Sequence, residues 1–148
     1  MSEQAIEIVA RGVMVRDGHV LVCHNLKKSN TFLPGGHVEW NESARESLRR
    51  EIVEEMGRKS RVGRFLGVCE HTYLWKKKQV CEINLVFEFD IPKLRPGKPV
   101  PSAEVKLTFE WLPLKKIPGS SMEPRVLARQ LARWLRRDDS MERWCSSF

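Results

Sequence analysis

The spacing of apolar residues predicts strands at the start of the chain. Residues 5–15 (AIEIVARGVMV) are rich in β-branched residues, and a second apolar run, VLVCH, follows the turn RDGH. Apolar, β-branched runs on both sides of a glycine-containing turn are typical of a β-hairpin. The pattern therefore predicts a hairpin here, followed by a polar loop, NLKKSNT.

The pattern then changes to the period of a helix. Ser43 and Glu46 have the spacing of a capping box, and Gly57 is a favourable residue for a helix C-terminus. Between them, apolar residues recur at every fourth position, which places them on one face of a helix. These residues are Ala44, Leu48, Ile52 and Met56. We therefore predict a helix over residues 43–57 whose apolar stripe packs on a flat hydrophobic surface.

The rest of the chain predicts more strands and a second helix. Residues 61–75 and 79–91 have strand patterns and are joined by a short lysine-rich turn. The proline-rich segment 92–104 predicts a loop, 105–114 a strand, and 123–138 an amphipathic helix. This order favours an α+β fold in which a mixed β-sheet lies between helices, as in an α/β/α sandwich.

Length and composition indicate one globular domain, which we expect to span residues 1–148. Apolar residues make up 41% of the chain and charged residues 30%, a composition that is neither disordered nor membrane-spanning. The N-terminus lacks the pattern of an export signal. The four cysteines contain no C-x-x-C pair, so we expect reduced thiols and a cytoplasmic protein.

The formal net charge of +7 leaves the partner open. An excess of Lys and Arg suits nucleic acid, a membrane surface or small anions such as nucleotides, and it also suits a merely solvated basic surface. The basic residues lack the aromatic interleaving of a single-strand binding platform. Nucleic acid is therefore an unlikely partner.

Six glutamates nevertheless lie between Leu33 and Gly57. Because successive helical residues rotate by about 100°, Glu51, Glu54 and Glu55 crowd one face, opposite the apolar stripe. Such acids repel one another unless arginine, lysine or a metal compensates them. A proline and two glycines precede this helix and favour an open turn with accessible carbonyls. Carboxylate and carbonyl oxygens suit Mg²⁺ or Mn²⁺.

The same stretch resembles the Nudix box, G-x5-E-x7-R-E-U-x-E-E-x-G-U, in which U is a bulky aliphatic residue. The matching run begins at Gly36, continues through Glu42 and ends in REIVEEMG at residues 50–57. Arg58 departs from the final aliphatic position. The resemblance extends over most of residues 6–135 and implies the family's mixed sheet between helices.

The resemblance implies a role for each matching residue. Glu51, Glu54 and Glu55 are expected to bind the metal together with a carbonyl of Gly35 or Gly36. Glu51 and Glu54 are therefore also candidate catalytic residues.

Arg50 is expected to form an ion pair with Glu42 that orients the loop against the helix, and we include Arg50 with the catalytic set. The base that activates the attacking water is either a box glutamate or Glu104, which lies in the proline-rich loop. The alternative for Glu104 is an exposed loop acid.

Three further residues are weaker candidates for substrate contact. His37 follows the double glycine closely enough to reach phosphate, and Tyr73 and Trp75 precede the basic turn and can stack on a base. The alternative is polar surface for the histidine and ordinary strand packing for the aromatic residues.

The function implied by the resemblance is a Mg²⁺-dependent pyrophosphohydrolase that acts on a nucleoside diphosphate linked to another moiety. Nucleotide sugars and nucleoside triphosphates, including oxidised ones, are both open as substrates. The alternative is a non-catalytic nucleotide-sensing or RNA-binding module with the same fold. The expected partner is a small nucleotide-derived molecule, and relatives are often homodimers.

Overall fold

The computed structural model describes residues 4–148 and contains the two predicted helices. They are α1 (Ala44–Met56) and α2 (Arg125–Trp134). A 3₁₀ helix, which the apolar pattern did not predict, spans Leu114–Gly119. The strands of this described region are β1 (Ile6–Val13), β2 (Val15–Arg16), β3 (His19–Asn25), β4 (Thr31–Phe32), β5 (Gly35–His37), β6 (Arg61–Trp75), β7 (Lys78–Asp90), β8 (Leu107–Pro113) and β9 (Trp144–Ser146).

The strands form two sheets. The larger sheet has the order β5-β1-β7-β6-β9, in which β1 with β7 and β6 with β9 are parallel and the other pairs are antiparallel. The smaller sheet is antiparallel and has β3 at its centre, paired with β2, β4 and β8. The predicted α+β class with a mixed sheet is confirmed.

The predicted N-terminal hairpin is wrong in its extent. Only the two residues of β2 pair with β3 across the turn, whereas β1 joins the larger sheet. The chain changes sheet at Met14, which is fully buried and whose carbonyl accepts a hydrogen bond from the amide of Leu21 at 3.0 Å. A long partner strand, β7, was available to β1 over all eight of its residues, and this pairing prevails over the local hairpin.

The larger sheet is buried on both faces between the helices. One face of β1 and β7, including Val13 and Val86, packs with Leu127, Leu131 and Trp134 of α2. The opposite face packs with the apolar stripe of α1, which consists of Leu48, Ile52 and Met56. Because adjacent strand residues point to opposite faces, the apolar run of β1 supplies both cores. No helix within residues 4–148 is long and apolar enough to cross a membrane.

The ends of both helices have identifiable causes. The capping box predicted for α1 is present, since Ser43 and Glu46 exchange side-chain-to-backbone hydrogen bonds, and Gly57 ends the helix with φ of 66°. Helix α2 is shorter than the predicted 123–138. Its last carbonyls accept hydrogen bonds from arginines: Trp134 from Arg143 at 2.7 Å and Leu135 from Arg64 at 3.0 Å.

Replacement of the N-cap should destabilise the protein through α1. In Ser43→Ala the hydroxyl that accepts from the Glu46 amide at 3.2 Å is lost, and we expect the free energy of unfolding to fall by about 1 kcal/mol. Urea denaturation followed by circular dichroism measures this change. Ser29→Ala, in an exposed loop, is the matched control, and equal midpoints for the two variants would contradict the capping role.

Candidate active site

Arg50 gathers the loop and the acids of the box. Its Nη2 and Nε atoms donate to the two carboxylate oxygens of Glu42 at 2.7 and 3.1 Å. Its Nη1 donates to Glu51 at 3.0 Å and to Glu54 at 3.2 Å, and Nη2 also donates to the carbonyl of His37 at 3.0 Å. The predicted pair with Glu42 is therefore present. Hydrogen bonds from Arg50 lower the pKa of Glu42 to about 2.

Glu51 lies directly against the double glycine. A Cβ atom placed on Gly36 would clash with the carboxylate of Glu51. Only glycine leaves room for this approach between strand β5 and helix α1. The position therefore brings a backbone segment and a helix carboxylate together, which is the arrangement that the box resemblance implies.

Glu55 is buried, with 8% of its surface exposed. Its Oε2 accepts a hydrogen bond from the amide of Gly35 at 3.2 Å. Burial raises the pKa of Glu55 to about 7, although the hydrogen bond from Gly35 and the charge of Arg11 act in the opposite direction. The sequence prediction that all three acids face away from the apolar stripe is thus wrong for Glu55, because the rotation of about 100° per residue places Glu55 about 20° from Leu48, on the buried side of the helix.

The two glycines form a strand rather than the predicted open turn. Gly36 is opposite Ala10 in the pairing of β5 with β1. Hydrogen bonds from Gly12 to Pro34 and from Val38 to Ile8 flank this pair. Since bonded pairs alternate in an antiparallel ladder, the Gly36 carbonyl faces β1 and the Gly35 carbonyl faces away from it.

Gly35 cannot be replaced by a larger residue at this point. It has φ of 132°, and a Cβ atom there would clash with the carbonyl oxygen of Ala10. Its own carbonyl accepts from Nη1 of Arg11 at 3.2 Å. Of the two carbonyls considered as metal ligands, that of Gly35 is the one outside the sheet ladder.

The donor set of the box fits a hard divalent cation. Glu51, Glu54 and the Gly35 carbonyl are oxygen donors, which Mg²⁺-type ions prefer and of which they need only a few from the protein. Among residues 4–148, no three acidic, histidine or cysteine side chains are placed so that they could hold a metal ion by themselves. Arg50 bonds to both Glu51 and Glu54, so its charge compensates these acids and a cation would compete with it.

The loop that carries Glu104 is attached to the box helix. The amide of Ala103 donates to the carbonyl of Glu55 at 2.8 Å, and Glu104 itself is exposed, with Oε1 at 3.5 Å from the amide of Lys106. The structure thus brings the predicted loop acid to the C-terminal turn of α1. Its carboxylate has no bond to the box acids.

A cavity of about 750 Å³ lies beside the box. Tyr73 and Trp75, both predicted to contact substrate, line it. Arg11 also lines it and bonds to Gly35, so this side chain connects the cavity with the box. His37 is not among the residues of the cavity wall; its ring lies 2.9 Å from the carboxylate of Glu7.

Sequence reasoning missed the polar residues of the cavity. Besides Arg11, they include Glu82 and Asn84 of β7 and His71 of β6. Burial lowers the pKa of His71. A signal for them was present, because Arg11, Glu82 and Asn84 lie among apolar residues in the middle of strands. A polar residue on a buried strand face needs a partner, which a binding site supplies.

Comparison with known proteins gives matches over most of the chain. A family model described as NUDIX domain matches residues 7–137. An ADP-ribose pyrophosphatase of Methanocaldococcus jannaschii is 28% identical over 134 residues, which are 86% of this chain and 73% of the relative.

Solved structures match at lower identity. A MutT protein from Methanosarcina mazei Go1 has a TM-score of 0.66 at 23% identity, and the match covers 90% of this chain and 96% of the other. A UDP-X diphosphatase has a TM-score of 0.65 at 17% identity, covering 98% of this chain and 69% of the other. The fold is therefore shared over both sheets and both helices.

Burial of Glu55 predicts an unusual dependence of stability on pH. The carboxyl titrates near 7 in the folded chain, against an ordinary value of 4.5, so its contribution to stability is complete below pH 4.5 and is lost as the pH rises towards 7. Glu55→Gln removes this titration. Without added metal and with EDTA present, we expect the variant to gain on the order of 2 kcal/mol over the unmodified protein between pH 5 and pH 8.

Urea denaturation at the two pH values measures this difference. Glu110→Gln, an exposed change on β8, is the control and should leave the pH dependence unaltered. If Glu55→Gln followed the same pH curve as the unmodified protein, the raised pKa would be refuted.

Proposed function

Since the chain belongs to the Nudix hydrolase family, which acts on pyrophosphate bonds, we propose that it is a Mg²⁺- or Mn²⁺-dependent pyrophosphohydrolase of nucleoside diphosphates linked to another moiety. The observation that carries the proposal is the position of Arg11, which lines a large cavity and donates to the carbonyl of Gly35, a residue whose amide bonds to Glu55 of the box. The name of the Methanocaldococcus jannaschii relative, an ADP-ribose pyrophosphatase, supports this substrate class.

Glu51, Glu54 and the carbonyl of Gly35 would hold the cation. A divalent ion held there would supply positive charge to the pyrophosphate oxygens and would lower the pKa of the attacking water. Arg50 keeps the two acids on one side of α1 and ties them to the loop through Glu42. Glu55, buried behind them, accepts a hydrogen bond from the amide of Gly35 and so helps to hold in place the residue whose carbonyl would bind the cation.

Arg11 is suited to a phosphate of the substrate. Its guanidinium lies between the cavity and the box and has hydrogen bonds to the carbonyls of Leu33 and Gly35. A guanidinium remains charged at every relevant pH and binds phosphate oxygens in its own plane. The nucleoside would then occupy the cavity while the pyrophosphate extends past Arg11 to the box acids.

Proton removal from the attacking water needs a carboxylate that is not held by other groups. Glu104 meets this condition, since its loop is fixed at Ala103 while its own side chain is exposed. A box glutamate is the alternative base. A non-catalytic sensing module is disfavoured because all the box acids are intact, and the chain has no separate basic segment that favours RNA binding.

A panel of nucleotide sugars, dinucleoside polyphosphates and nucleoside triphosphates tests the activity. With Mg²⁺ we expect release of a nucleoside monophosphate from at least one of them, and none with EDTA. Glu54→Gln should lower kcat/KM by about 10²-fold because a ligand of the cation is lost, and Glu110→Gln should not change it. No turnover of any substrate between pH 7 and 9 would refute the proposal.

The role of Glu104 has its own test. If it removes the proton, Glu104→Gln should lower kcat by about 10²- to 10⁴-fold while KM stays nearly constant. Steady-state kinetics from pH 5 to 9 measure both effects. A variant with full kcat would assign the base to the box.

A further inference from the structure

The inner end of the cavity offers hydrogen-bond acceptors from β7. Asn84 is fully buried and Glu82 has 8% of its surface exposed, yet both line the cavity. We call these two side chains the acceptor floor. Glu123, two residues before α2, adds a second, half-buried carboxylate to the cavity wall. A buried acid such as Glu82 requires hydrogen-bond donors.

The orientation of the Asn84 amide follows from its neighbours. Its Nδ2 atom donates to the carbonyl of Cys69 and to Oε2 of Glu82, each at 3.3 Å. The reverse orientation would place the amide oxygen against two acceptors. Oδ1 is therefore the atom without a protein partner. An unsatisfied buried acceptor is costly, so a ligand donor at this point would be favourable.

Glu82 can accept further hydrogen bonds as well. Its Oε1 accepts from the hydroxyl of Tyr73 at 3.1 Å and its Oε2 from Asn84. Since each carboxylate oxygen accepts about two hydrogen bonds, one site on each oxygen remains. The two bonds hold the carboxylate in one orientation. The acceptor floor thus presents a fixed pair of carboxylate oxygens beside a free amide oxygen.

The walls of the cavity suit a flat ring. Phe32, Tyr73 and Trp75 line it, and each has a group that fixes its position. The guanidinium of Arg11 lies over Phe32, the imidazole of His71 is stacked on Tyr73 at 5.2 Å, and Nζ of Lys28 lies 4.5 Å from the ring centre of Trp75. Aromatic walls favour stacking with a nucleobase over contact with a sugar.

The charges of the cavity determine the direction of a bound nucleotide. The carboxylates are at the acceptor floor and at Glu123, whereas Lys27 and Lys28 are exposed at the mouth and Arg11 faces the box. A phosphate group is repelled from the floor and attracted to the cations. The base of the ligand therefore enters first.

We propose that the cavity selects a guanine base, whose N1–H and N2–H groups donate to Glu82 and Asn84. Of the common bases, guanine alone has two neighbouring N–H donor groups on its Watson–Crick edge. Adenine and cytosine would place a ring acceptor against the carboxylate, and uracil has one donor between two acceptors. Selection of guanine would specify the substrate within the proposed function, and the inference rests on that function for the placement of the phosphates. Glu82 would then be the residue that determines base specificity.

Binding of nucleoside monophosphates to the whole 148-residue chain tests the inference without turnover. At ring positions 1 and 2, GMP, IMP and AMP carry two, one and no N–H donor groups, so titration calorimetry in EDTA should give affinities in the order GMP, IMP, AMP. Glu82→Gln keeps the shape of the side chain but presents an NH₂ group to the base. We expect it to weaken GMP binding by about tenfold or more and AMP binding by less than twofold.

The control is Glu110→Gln, which should bind all three nucleotides as the unmodified protein does. Equal affinity for GMP and AMP, or an unchanged preference in Glu82→Gln, would overturn the inference. If Glu82→Gln does not fold, the comparison of GMP with IMP in the unmodified protein still tests the inference. Equal affinities would show that the cavity does not recognise the 2-amino group of guanine and would overturn it. A guanine preference in binding without hydrolysis would refute the enzyme proposal alone, and hydrolysis without base preference would refute this inference alone.

Discussion

The guanidinium of Arg50 is the group on which the geometry of the box depends. It bonds to Glu42 in the loop, to the carbonyl of His37 in β5 and to Glu51 and Glu54 on its own helix. Without Arg50, the carboxylates of Glu42, Glu51 and Glu54 would repel one another at this separation. A planar group with five donors satisfies several acceptors at once in a fixed arrangement, which a lysine would not reproduce. The loop, edge strand and helix are thereby held as one unit.

The parts of this unit that are local in sequence were predictable. The capping box at Ser43 and the Arg50–Glu42 pair both depend on short spacings that the motif contains. The bond between Glu55 and the amide of Gly35 was not, because it depends on β5 packing over α1, a contact between distant segments. For the same reason the length of the N-terminal hairpin was overestimated. Local β-propensity does not determine which strand β1 pairs with, and its partner β7 is more than sixty residues away.

The two faces of β1 and β7 explain why the site has a catalytic part and a binding part. In β1, even-numbered positions such as Ala10 support α1, while Arg11 of β1 and Asn84 of β7 are on the opposite face, where the cavity opens beyond the α2 core. Because side chains alternate between the two faces of a strand, adjacent residues contribute to the catalytic part and to the binding part of the site. The box is contained in one continuous motif and was therefore predictable. The cavity residues come together only through the register of β1 with β7, which the sequence pattern does not contain.

Strand β5 has one more consequence, which concerns association between molecules. It is an edge strand, and edge strands with free backbone groups are prone to pair with other chains. Here the groups directed away from β1 bond to side chains instead: the amide of Gly35 to Glu55, and the carbonyl of His37 to Ser47 and Arg50. The same side chains that arrange the acids of the box therefore cap this edge, so substitutions in the box carry a risk of aggregation as well as a loss of activity.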